Sequence, residues 1–300
     1  MWPEWGSCMK AVLSNAEEVR AFAALSPSTF LIVDGGLDNE LEEKILTVEK
    51  LARREWVYSN TEYWQQERDG PLLIQAKPDS PLLAVMIDEW SQLHWGGLLQ
   101  SDEPIDVVLQ HLRMLRHARM PDGSLSLLRL HEPRALRGFV EGLSDGEQDI
   151  LLGPILSWIW CEWSEGHGDW YRLTRQSETP VLPLEAPFVL SSSVIHALDA
   201  QRVDYCHRRW VRRLRNQRIA ALEAFDDDYL LQAVGIQVNH AMTLGFVNDE
   251  DLGAYLNLFF CHHRRLQDAD SPLTRLLNDT EQPAWRRLIQ MNDLLVKEMA

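Results

Sequence analysis

The stretch QSETPVLPLEAPF, residues 176–188, separates two lengths of chain whose apolar residues follow different periods. Its three prolines lack the backbone donor that a helix or a central strand needs, and few of its apolar residues recur regularly, so it reads as a linker. Before it, short apolar runs alternate with helical patterns; after it, every pattern is helical. The expected architecture is an α+β or α/β lobe over residues 1–175, a mixed β-sheet flanked by helices, followed by an all-helical lobe over 189–300.

In the first half, TFLIVDGG (29–36) is a β-branched apolar run closed by glycines. LDNELEEKILTVEKLARR then places Leu41, Ile45, Val48 and Leu51 on one helical face. EWVYSN and PLLIQAK predict two strands broken by Gly70-Pro71, and SPLLAVMIDEWSQLH predicts a helix capped by Ser80 with Pro81 in its first turn. WGGLLQSDEP supplies another strand. Asp102 is the expected cap of the next helix, whose Ile105, Val108, Leu109, Leu112 and Leu115 share a face. Pro121-Asp122-Gly123 reads as a turn, SLSLLRL as a strand, and PRALRGFVEGL as a helix opened by Pro133. LSWIWCEW and DWYRLTR, joined by SEGHG, read as a hairpin.

In the second half, Tyr205, Arg208, Arg209, Arg212, Arg213, Arg215 and Arg218 fall in a basic helix or a pair of short ones. Leu230, Val234, Val238 and Met242 mark the next helix, with Gly245 as its stop. A third begins at Asn248-Asp249 and carries Leu252, Tyr255, Leu256 and Phe259 on one face, and SPLTRLLND and PAWRRLIQMNDLLVKEM complete a small bundle.

The 45 acidic and 29 basic residues give a net charge of −16, which repels phosphate backbones and anionic lipid surfaces and argues against nucleic-acid binding or stable membrane association. No apolar run approaches the roughly 18 residues that span a bilayer, and no basic region precedes an apolar one at the start, so the chain is expected to be cytoplasmic. Cys8, Cys161, Cys206 and Cys261 are scattered without a CxxC, the pattern of reduced thiols rather than of a metal knuckle or a disulfide framework.

No nucleotide loop, GxSxG elbow or HExxH helix is present, and no cofactor or metal is expected. Asp34-Gly35-Gly36 reads as a tight strand-to-helix turn. Cys261, His262 and His263 are adjacent on a helix and diverge, and Asp226, Asp227 and Asp228 read as a helix cap. The arginine helix reads as a solvated face paired to nearby acids; as a docking patch it would use Arg208, Trp210, Arg212 and Arg215. RMPDGSLSLLRLHEPR (119–134) collects Arg129, His131, Glu132 and Arg134. As a strand it puts Leu125, Leu127, Arg129 and His131 on one side, so Arg129 must snorkel or find a carboxylate. His131 and Glu132 are adjacent, with no nucleophile suggested beside them, which favours a salt-bridged junction over acid/base chemistry.

FLIVDGGLDNEL, GPLLI, WGGLLQSDEP through LHEPRAL, and LLGPI resemble, in order and spacing, the "domain of unknown function 4123" family of bacterial type VI secretion adaptors, or effector chaperones. Asp34-Gly35, Ser101-Asp102, Pro104, Pro121-Asp122-Gly123, Arg129, Pro133-Arg134 and Leu136 match the family pattern, while Leu128, His131 and Glu132 stand where Phe, Tyr and Asp are usual. The resemblance implies a non-enzymatic protein that binds the N-terminal region of an effector, keeps it soluble and helps load it onto the spike protein. The competing readings are an enzyme using His131, Glu132 and Arg129, and an immunity protein that neutralises a toxin.

Overall fold

The strand β1 (Thr29–Asp34) is buried at every position, because both of its faces are covered. Phe30 and Ile32 join one apolar core and Leu31 and Val33 another, the alternation that a pleated strand imposes. The computed structural model describes residues 13, 15–25, 28–164, 167–177, 186–217, 219 and 222–299. It divides into two compact units, Met1–Gln201 and Arg202–Ala300.

In the first unit, α1 (Ala16–Leu25) precedes β1, and α2 (Leu41–Val48), β2 (Arg53–Trp56), β3 (Pro71–Ala76), α3 (Pro81–Val85) and β4 (Gly96–Gln100) follow. Next come α4 (Ile105–Leu115), β5 (His117–Arg119), β6 (Leu125–Leu127), α5 (Pro133–Glu141) and α6 (Asp145–Leu152). The hairpin β7 (Ser157–Ser164) and β8 (His167–Thr174) and the short β9 (Phe188–Val189) complete it. Strands β2-β3-β1-β4-β7-β8 form a six-stranded sheet whose pairings are antiparallel, whereas in the small sheet β6-β5-β9 one pairing is antiparallel and one parallel. Helices α4, α5 and α6 cover one face of the large sheet and α1, α2 and α3 the other. The expected sheet with flanking helices is what the chain builds, and burial on both faces explains why its strands read as continuous apolar runs.

Local chemistry sets most boundaries. The Ser80 hydroxyl accepts from Leu82 N and Pro81 opens α3, as predicted, but the helix passes into a π turn over Met86–Trp90. The α4 face is as read: Ile105, Val108, Leu109, Leu112 and Leu115 are all buried. Three expectations are corrected. The helix after β1 stops at Val48 rather than running to Arg54, because residues 53–56 pair with β3 and Leu51 is left in solvent. Pro104, not Asp102, occupies the cap of α4; buried Ser101 anchors this turn, accepting from Glu103 N and donating to the Pro154 carbonyl. The strand expected over 124–130 ends at Leu127.

Helix α6 was not read from the sequence, although Ser144 and Glu147 form a reciprocal capping box at its start. The turn expected at SEGHG and most of the proline-rich linker, residues 178–185, lie outside the described residues. The hairpin strands themselves pair from Ser157 with Thr174 to Ser164 with His167.

Helix α7 (Ser192–Asn216) starts in the first unit and ends in the second, where α8 (Asp227–Thr243), α9 (Asp249–Gln267), α10 (Pro272–Asn278) and α11 (Ala284–Met299) follow. Asp226 and Asn248 cap α8 and α9 through their side chains, accepting from Tyr229 N and Asp251 N. The core of this unit gathers Trp210, Leu214, Leu230, Val234, Phe246, Tyr255, Leu256 and Met291.

Candidate functional site

The residues of the 119–134 block converge on the end of β1. Asp34 is 2% exposed. Its Oδ1 accepts from Gly36 N at 3.0 Å, which turns the chain out of the strand, and its Oδ2 accepts from Arg129 Nη2 at 2.6 Å. His131 Nε2 lies 3.5 Å from the same oxygen, close enough for attraction but not aligned as a hydrogen bond. Gly35 is required by close packing: a Cβ there would stand 2.3 Å from the Arg68 carbonyl and 2.4 Å from the Trp56 ring.

The turn and the small sheet deliver Arg129 and His131 to this point. Gly123 adopts φ +85°, and Asp122 Oδ1 accepts from Ser124 N at 2.9 Å and Ser124 Oγ at 2.6 Å. Beyond β6, Leu128 N donates to the Arg116 carbonyl and Glu132 N to the Arg129 carbonyl, so the chain folds back before Pro133 opens α5. That bend breaks the expected alternation: Leu125 and Leu127 face solvent, whereas Leu130 and His131 are buried. Arg129, half exposed, finds the carboxylate its position demanded. Glu132 caps α5 with no side-chain bond and instead holds Arg134 at 2.6 Å.

Burial works against ionisation of Asp34, but His131, Arg129 and the Gly36 N–H outweigh it and hold the carboxyl below its ordinary 3.8. Nearby, burial pushes the Tyr58 hydroxyl up. A cavity of about 20 Å³ beside His131, lined also by Tyr58, Arg116 and Trp158, has room for a single water. A buried, ionised carboxylate paired with Arg129, approached by His131 and beside a space no larger than a water makes a clamp, tying β1 to the start of α5.

The docking residues named from the sequence are placed differently. Trp210 is a core residue, 5% exposed, with Arg213 over its ring at 4.6 Å and Gly253 against its edge. Arg208 pairs with Asp204, Arg213 with Asp249, and Arg215 with Asp227 and the Leu222 and Phe225 carbonyls. Arg212 is exposed and has no ion pair among the described residues. The helix is thus mainly an internally paired face. No group of three His, Cys, Asp or Glu suited to a metal occurs among the described residues, and Cys261 and its neighbouring histidines stay on α9.

Two polar clusters were not anticipated. Glu162 on β7 accepts from Gln201 Nε2 at 3.2 Å and faces Arg137 Nε at 3.7 Å, while Arg137 Nη1 donates to Tyr171 Oη. Burial pushes the Glu162 carboxyl up to about 7, with Glu141 and Asp169 adding to the rise and Arg137 opposing it. In the second unit Arg287, 2% exposed, donates to the carbonyls of Leu244 and Leu277 and lies over the Phe246 ring. Single-sequence patterns give no signal for either, since each joins residues far apart in the chain.

The stretch from β1 to α6 contains Asp34, the turn, Arg129, His131 and Pro133. Residues 29–149 match the family model described as "Domain of unknown function (DUF4123)". That stretch, less than half of the chain, is similar to this family. Every member of the clamp lies inside the matched residues. No curated protein matches the chain, and no solved structure does. Among the described residues no helix is long and apolar enough to cross a membrane.

Proposed function

We propose that this protein is a cytoplasmic, non-enzymatic adaptor that binds the N-terminal region of a type VI secretion effector, stabilises it and helps load it onto the spike protein. The observation that carries the reading is the DUF4123 match over residues 29–149, on the same motifs that resemble the effector-chaperone family. The clamp supports it: Arg129 and His131 of the 119–134 block are spent on holding β1 to α5, and His131 is 4% exposed, closed to a substrate. A carrier of this kind acts through binding energy alone, since whatever binds the folded client and not the unfolded one stabilises it by mass action.

Co-expression with the effector encoded beside its gene tests the proposal. A stable complex formed through the effector's N-terminal region supports the adaptor; binding confined to the toxic C-terminal region supports an immunity role instead.

A further inference from the structure

The small sheet presents an apolar face with a cation at its centre. Its residues fall in rows across the strands: Leu125, Arg119 and Val189 in one, Leu127 and His117 in the next. Opposite them, Ala118 and Phe188 are buried in the core of the first unit. The outer face is left in solvent, with Leu125 56%, Leu127 40% and Val189 60% exposed. Large apolar side chains grouped on adjoining strands mark a contact surface more often than isolated ones do.

Charge identifies what fits. At the His117 end, Glu62 neutralises the face, reached by Arg116 at 2.8 Å and His117 at 3.5 Å. Arg119 is different. It donates to the Gly123 carbonyl at 3.1 Å and has no ion pair among the described residues, in a chain whose net charge is −16. A purely apolar cover would strand this guanidinium without a counter-charge, so the complementary surface carries a carboxylate among apolar residues. A strand added at the β6 edge does not reach it: β6 has three residues, and Arg119 lies on β5, one strand farther in. An element lying across the face does, and helices are the usual cover of a sheet face.

We infer that the outer face of β5, β6 and β9 docks an amphipathic helix of the protein's partner, one that sets an acidic residue within its apolar stripe against Arg119. The inference rests on the adaptor reading for the partner's identity, which is the carried effector, and deepens it by locating the contact.

The test uses the full-length protein and two designed amphipathic helical peptides, identical except for Glu or Lys at the centre of the apolar stripe. Fluorescence anisotropy is expected to give at least about tenfold tighter binding of the Glu peptide, a preference reversed by Arg119→Glu and an affinity lowered by Leu125→Ser or Val189→Ser. Circular dichroism melts should match the wild type, because these side chains are exposed. Equal affinity for the two peptides, binding of neither, or a preference that Arg119→Glu leaves unmoved overturns the inference. Co-expression with the effector separates this failure from that of the adaptor reading. Loss of the effector in Arg119→Glu supports the docking face, and undiminished retention overturns the face alone. An effector that the wild type does not hold overturns the adaptor reading, and the peptides still decide the face.

Discussion

Asp34 and Arg129 stand 95 positions apart in the chain and meet through a 2.6 Å contact between Oδ2 and Nη2. Asp34 is almost wholly buried while Arg129 is half exposed, so removing the acid leaves His131 and the Gly36 N–H short of a partner, whereas removing the arginine leaves a buried charge with less support. Asp34→Ala is expected to cost about 2–4 kcal/mol in urea unfolding, with part of that loss shared with Arg129→Ala in a double-mutant cycle. Because the folded carboxyl titrates below its ordinary 3.8, this stabilisation is present above that value and disappears as pH falls through the lower folded one. Asp34→Asn should therefore flatten the acid limb of the stability curve; an acid limb identical to the wild type's would contradict the clamp.

Glu162 gives the opposite sign. Its folded pKa of about 7 lies above the ordinary 4.5, so between these values the folded chain retains a proton that the unfolded chain has released. Stability contributed by this site is highest in acid, falls as pH rises from 4.5 to about 7, and stays reduced above. Glu162→Gln keeps an acceptor for Gln201, and Arg137 retains Glu141 and Tyr171. The variant is expected to be more stable than wild type at alkaline pH by about 1–3 kcal/mol and nearly equal in acid, measured by thermal melts across pH. A Gln variant less stable at alkaline pH would show that the Arg137 contact outweighs the burial of the charge.

The arginines of α7 separate by what they touch. Arg215 holds Asp227 and two backbone carbonyls ahead of α8, so Arg215→Ala should lower the unfolding free energy by about 1–3 kcal/mol. Arg212→Glu, on an exposed side chain, should stay within about 0.5 kcal/mol. Trp210→Ala belongs with core truncations and is expected to cost about 3–5 kcal/mol. Loss of partner binding in the Arg215 or Trp210 variants is therefore informative only beside a folding measurement.

Arg287 satisfies carbonyls near the ends of α8 and α10, where helices leave acceptors unpaired. Arg287→Met preserves much of the apolar contact with Phe246 but removes the donors. It should destabilise the chain by about 2–4 kcal/mol, seen as a lowered urea midpoint, because buried carbonyls lose their partners. An unchanged midpoint would mean that water replaces the guanidinium at no cost.

The sequence made the strands legible where burial on both faces produced unbroken apolar runs, as in TFLIVD, and made helices legible where one apolar face repeated, as in α4. It was misleading after β1, where Leu51 continues a helical spacing that β2 overrides by pairing with β3. Tertiary hydrogen bonding outweighs local periodicity there. Helix α6 had a readable start in Ser144 and Glu147 but only a weak apolar stripe behind it. Arg129's need for a carboxylate followed from its place among leucines, but nothing local identified Asp34, since the pairing is a property of the fold. Trp210 shows the converse: an aromatic residue beside arginines suggests a surface anchor, yet its ring is buried against Gly253.

The adaptor reading stands or falls most directly on co-purification of the full-length protein with the effector encoded beside its gene, comparing the intact effector with one lacking its N-terminal region. The account predicts a stable complex with the intact effector, lost on truncation, and an effector that is poorly soluble when expressed without this protein. An effector that is soluble and secreted in the deletion strain, with no complex formed, would contradict it.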